Sequence, residues 1–167
     1  MTQGAEAGTV AWRVGGDVRG RARGGAGLQV WGERVTHVGA GGAGQVTKAC
    51  NEVVVTCNAL VIAEVIALAE RSGVDTRLLA EALAGGFADS KPLQILAPQM
   101  AASTYQPIKW HVRTLLKDLD NAVKLPREQG AATPISGLAA QLMRLHASQG
   151  FLDQDPSTLV EQYRSKP

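Results

Sequence analysis

The sequence predicts a mainly α fold, a helical bundle with a short strand pair at its N-terminus, and three observations carry that prediction. First, the glycine-dense stretch at residues 39–44 empties into about 28 residues, starting at Gln45, with no proline and no interior glycine before Gly73. At ~1.5 Å per residue this is a helix of roughly 40 Å, long enough to be the spine of the domain, with Gly73 as its C-cap. Second, beyond Gly73 the residues Asp75, Ser90, Pro134 and Asp155 each stand just ahead of apolar residues at helical spacing. Third, strand-like stretches occur only ahead of the glycine turn.

In order along the chain, residues 8–15 (GTVAWRVG) read as a strand ended by Gly15-Gly16-Asp17, and residues 33–38 as a second strand running into the turn. Between them, DVRGRARGGAGLQVWG has the length of a helix. Its five glycines would each cost roughly 1 kcal/mol against alanine, so a loose segment contributing little stability is predicted. After the spine, Asp75 caps a helix reaching Leu83, Ser90 caps one reaching about residue 102, and residues 111–125 form a third. Pro126 ends or kinks the third, Pro134 opens a helix over residues 135–148, and Asp155 caps a last short helix over 156–163.

A chain of 167 residues with 45% hydrophobic content has the size of a single domain with a real core. A net charge of +2 gives no general electrostatic case for nucleic acid, although Arg13, Arg19, Arg21 and Arg23 form a local basic cluster. Cys50 and Cys57 lie two helical turns apart, too distant to bridge, and read as buried thiols in a reducing cytosol. No CxxC or clustered histidine suggests a metal. The start lacks the charged and apolar runs of a signal peptide, and residues 53–69, interrupted by Thr56, Asn58 and Glu64, fall short of the ~20 apolar residues of a membrane span. The expectation is a cytoplasmic protein free of membrane. The run ALVIAEVIALA leaves the spine little polar face, so helices of its own or a second chain must enclose it; a homodimer is expected, and Glu64, if buried, needs a partner.

On the spine, Lys48, Asn51 and Glu52 stand at i, i+3 and i+4 and share one face. The plain alternative is a solvated polar patch. Yet lysine ahead of glutamate is the less favourable order for a helical pair, and a cation near a helix N-terminus opposes the macrodipole. The arrangement stabilises little, which directs attention to function. His111 has no evident partner and reads as a packing residue.

Gly42, Gly44, Lys48 and Asn51 match in spacing the GxGxxxKxxN motif of the β-hydroxyacid dehydrogenases, and the segment resembles that motif. GAEAGTVAWRVGGD at 4–17, GGFADSKPLQ at 85–94, LLKDLDNAV at 115–123 and FLDQDPSTLVEQY at 151–163 resemble further family segments in the same order. The resemblance is to the C-terminal part of these enzymes. It implies a bundle like the C-terminal domain of 6-phosphogluconate dehydrogenase, with residues 1–41 as a truncated N-terminal region and 42–167 as a catalytic and dimerisation domain. The implied chemistry is NAD- or NADP-dependent interconversion of a small 3-hydroxy acid and its 3-oxo partner, such as tartronate semialdehyde and glycerate. By the same resemblance Lys48 is the acid/base residue, Asn51 orients substrate, and Lys117 reaches the nicotinamide end of the cofactor. For Lys117 the plain alternative is an ordinary exposed helix lysine.

Three departures stand beside the resemblance. The family's GxGxxG nucleotide turn and DxPVSGG substrate loop do not occur in the 167 residues, and the glycines at 39–44 precede a helix with no following strand and acidic ribose ligand. The chain alone is therefore expected to be silent without a separate nucleotide-binding domain; the competing expectation is a non-catalytic dimerisation or ligand-binding remnant. Glu52 stands where relatives carry a second amide, and its carboxylate would repel an acidic substrate. The arginine-glycine segment replaces an amphipathic helix, and a frame error or decay of the gene is its plain reading.

Overall fold

The computed structural model describes residues 11–16, 34–125 and 129–164. The expected looseness of the arginine-glycine segment and the helix break at Pro126 lie outside these residues. The described chain is mainly α: strands β1 (Ala11–Gly15) and β2 (Arg34–Gly39) precede helices α1 (Ala43–Arg71), α2 (Leu79–Leu83), α3 (Lys91–Ala101), α4 (Val112–Ala122) and α5 (Pro134–His146), and a 3₁₀ helix (Pro156–Gln162) follows. Contacts divide the chain into two compact units, Met1–Asn51 and Glu52–Pro167.

In the first unit β1 and β2 run parallel, Ala11 opposite Arg34 through Val14 opposite His37, with a slip at Gly15 that sets it against Gly39. Two bonds pin their ends: His37 Nε2 donates to the Gly16 carbonyl at 2.8 Å, and the Gly16 N–H donates to the Gly39 carbonyl at 2.9 Å. Gly42, at φ +89°, makes the turn that starts α1.

The second unit is a helical bundle. Ala59, Leu60, Ile62, Ala63, Ile66 and Ala67 of α1 are buried in one cluster with apolar residues of α3, α4 and α5, capped by Leu159 and Val160 of the 3₁₀ helix. The cap residues stand where the sequence puts them: Asp75 accepts from the Arg77 N–H at 3.2 Å, Ser90 Oγ from the Leu93 N–H at 3.1 Å, and Asp155 from the Ser157 N–H at 3.0 Å. Asp155 is itself buried and also accepts from the Lys109 N–H at 2.9 Å, so one carboxylate ties the last helix to the loop ahead of α4.

The last short helix stands where expected, capped by Asp155, and is wound as 3₁₀. Several expectations need correction. Glu64 is exposed, so it needs no buried partner. Cys50 is exposed; only Cys57 is partly buried, which pushes its thiol pKa up. His111 is exposed at the start of α4, and its Nδ1 lies 2.9 Å from the Asp153 carbonyl, so it holds a turn and does not pack in the core. α1 is long and apolar enough to cross a membrane by composition. Its buried face is instead part of the bundle core, while Val54, Val61, Val65 and Leu68 stay exposed.

Candidate active site

The site is built where a strand crosses a helix start at very short range. A Cβ added at Gly44 would lie 2.5 Å from the Arg13 carbonyl oxygen, and one at Gly15 would lie 2.4 Å from the Ala40 carbonyl oxygen. Only glycine permits both approaches, which gives the second glycine of the Gly42-x-Gly44 pattern a physical reason. Where backbone closes on backbone, a hollow of about 450 Å³ opens, and Trp12, Arg13, Val14, Gly44, Gln45 and Lys48 are among its lining residues.

Lys48 is exposed on the second turn of α1 and makes no hydrogen bond or ion pair with a described residue. Asn51, one turn on, accepts a hydrogen bond from Arg13 Nη2 at 3.3 Å. An arginine only donates, so the amide oxygen must face it. Lys48 and Asn51 thus share one helix beside one strand. Lys117 belongs to the second unit, on α4, where its exposed ammonium lies 3.2 Å from Asp118 Oδ1. Sequence reasoning missed Arg13, which reads in sequence as one of four clustered arginines; the signal that could have found it is its place two residues ahead of Gly15, on the strand that the glycines bring against α1. Among the described residues, no group of three or more His, Cys, Asp or Glu side chains could hold a metal ion.

Residues 42–163 match the protein-family model described as the NAD-binding part of NADP-dependent 3-hydroxyisobutyrate dehydrogenase. The chain belongs to this family. Among curated relatives, 3-hydroxyisobutyrate dehydrogenase of Pseudomonas aeruginosa is 33% identical over 98% of this chain and 57% of its own length. The 2-hydroxy-3-oxopropionate reductase of Escherichia coli K12 is 30% identical over 95% of this chain and 54% of its own. The solved Mycobacterium tuberculosis 3-hydroxyisobutyrate dehydrogenase with L-serine superposes with a TM-score of 0.85 at 28% identity, over 98% of this chain and 58% of that one. The chain therefore spans little more than half the length of these relatives.

A nicotinamide cofactor goes with the family, and the described residues fit part of one. The hollow of about 450 Å³ has two cationic side chains, Arg13 and Lys48, in its lining. After α1 the described chain continues in helices, with no third strand to carry the acidic ligand of a ribose.

Proposed function

We propose that this chain is the catalytic and dimerisation half of an NAD- or NADP-dependent 3-hydroxyacid dehydrogenase, with tartronate semialdehyde and glycerate as the favoured pair, and that it acts in the cytoplasm with a nucleotide-binding domain held outside these 167 residues. The observation that carries the reading is Lys48: an exposed ammonium without an ion-pair partner among the described residues, lining a hollow at the glycine-built start of α1, in a chain of this family. In reduction the Lys48 ammonium gives a proton to the substrate oxygen as the carbonyl becomes an alcohol; in oxidation the amine takes it back. The bound cofactor supplies or accepts the hydride. Asn51 orients substrate or lysine from the next turn, and Lys117 is assigned to the nicotinamide end of the cofactor. The 2-hydroxy-3-oxopropionate reductase relative supports the substrate, and the cysteines, both free, suit a reducing compartment.

Dimerisation is part of the proposal. Val54, Val61, Val65 and Leu68 expose an apolar stripe on α1, and Ile135, Leu138 and Leu145 expose another on α5.

The test is a substrate panel. With a nucleotide-binding domain supplied, tartronate semialdehyde should be reduced with a higher kcat/KM than the semialdehyde of 3-hydroxyisobutyrate, and the reverse order would move the assignment to 3-hydroxyisobutyrate. Without that domain, calorimetry should find no micromolar binding of NADH or NADPH, because pyrophosphate and ribose contacts are missing and each 1.4 kcal/mol lost weakens binding about tenfold. Micromolar binding by the 167 residues alone would refute the division of labour.

A further inference from the structure

We infer that Arg13 recognises the carboxylate of the substrate, which makes it the specificity-determining residue of the hollow that Lys48 serves; the inference rests on the proposed hydroxyacid chemistry. Arg13 and Lys48 line the same hollow, one from β1 and one from α1. None of the lining side chains is acidic, and Gln45 and the two cations carry N–H donors, whereas the Trp12 indole nitrogen is buried. The lining therefore complements an anion that carries a further oxygen. The two cations differ in what they can do. A lysine ammonium is a point charge able to exchange a proton, whereas a guanidinium stays charged and offers a planar fork that fits the two oxygens of a carboxylate.

The position of Arg13 is fixed from two sides. Its backbone carbonyl is wedged against Gly44, and its Nη2 donates to Asn51 Oδ1 at 3.3 Å. Among the described residues, one of its five N–H donors is thereby spent on Asn51, and this bond steadies the head group while leaving most of the fork for a ligand. Division of roles follows: Arg13 holds the carboxylate, and Lys48 meets the oxygen two carbons away that changes between alcohol and carbonyl. A substrate without the carboxylate leaves the guanidinium unmatched, which sets the preference for acids over simple alcohols.

Direct binding tests this without a cofactor. Glycerate is titrated into the 167-residue chain and followed by the side-chain NMR signals of Arg13 and Lys48, with glycerol as the neutral probe and inorganic phosphate as the other anion. Glycerate should shift both signals saturably, and glycerol neither. Arg13→Gln should weaken glycerate at least tenfold. Arg13→Lys, which keeps the charge and loses the fork, should fall between, and it decides the matter if the glutamine variant fails to fold. Unchanged affinity in both variants, absence of saturable glycerate binding, or phosphate binding as tightly as glycerate would overturn the inference. If glycerate binding survives Arg13→Gln but is lost in Lys48→Gln, the hydroxyacid reading stands and only the role of Arg13 falls.

Discussion

His146 shows how one buried side chain couples this fold to pH. It is fully buried at the end of α5 and stacks on Phe151 at 4.4 Å between ring centroids. Thr158 Oγ1 gives its proton to the Asp155 carbonyl at 2.7 Å, so it must accept from His146 Nε2 at 2.9 Å, and Nδ1 is left bare without a partner. Burial pushes the imidazole down to about 4 from 6.5, against the opposing pull of the Glu161 charge. Because the folded pKa is the lower one, the folded state binds fewer protons than the unfolded chain between the two values. Stability is full above pH 6.5 and should fall by on the order of 2 kcal/mol as pH drops toward 4. Denaturant melts across that window should show the slope, and His146→Gln should flatten it; an equal slope in the variant would place the effect elsewhere. Arg164 is the other residue with an outsized part. It reaches Glu70, Glu161, Ser103, Tyr105 and the Met100 carbonyl, and its bond to Glu70 holds it charged. Arg164→Met should cost roughly 2 kcal/mol in a urea melt, since two part-buried carboxylates lose their partner; a loss within experimental error would show solvent replacing it.

Elements were legible in the sequence where a local rule specified them. Asp75, Ser90 and Asp155 announce helix starts because a side-chain oxygen facing a free N–H is a contact within a few residues. The last helix was legible as a helix but not as 3₁₀, since its tight winding accompanies the burial of residues 156–160 and not an intrinsic preference. Of the candidate site, the shared helix of Lys48 and Asn51 was legible from spacing. Arg13 was not, because its approach to Asn51 depends on a crossing of strand and helix 38 residues apart in sequence. Nor was exposure: apolar runs do not say which face meets the core, so Cys50 was expected inside and the burial of Glu64 was left open. The crossing itself is testable through Gly44. Gly44→Ala puts a methyl group 2.5 Å from the Arg13 carbonyl oxygen, and β1 must move. We expect the variant to fold in its second unit, with normal far-ultraviolet dichroism, while the amide signals of Ala11–Gly15 shift and glycerate binding falls about tenfold. Unshifted β1 signals would mean that the contact is slack.

At the scale of the whole molecule, membership of the family is settled by a match over residues 42–163, while the activity of these residues is open to direct measurement. The exposed stripes on α1 and α5 predict self-association. Sedimentation velocity should find a dimer, and Val61→Glu with Leu68→Glu should give a folded monomer; a monomeric wild-type chain at micromolar concentration would contradict the proposed dimer. The central claim concerns Lys48, and its most direct test is turnover. With a nucleotide-binding domain from a relative supplied, the cofactor-dependent reduction of tartronate semialdehyde should fall about 100-fold or more on Lys48→Ala, the usual scale of lost acid/base catalysis, while far-ultraviolet dichroism is unchanged. Activity of the Lys48→Ala protein within a few-fold of the parent would contradict the assignment of Lys48 as the acid/base residue.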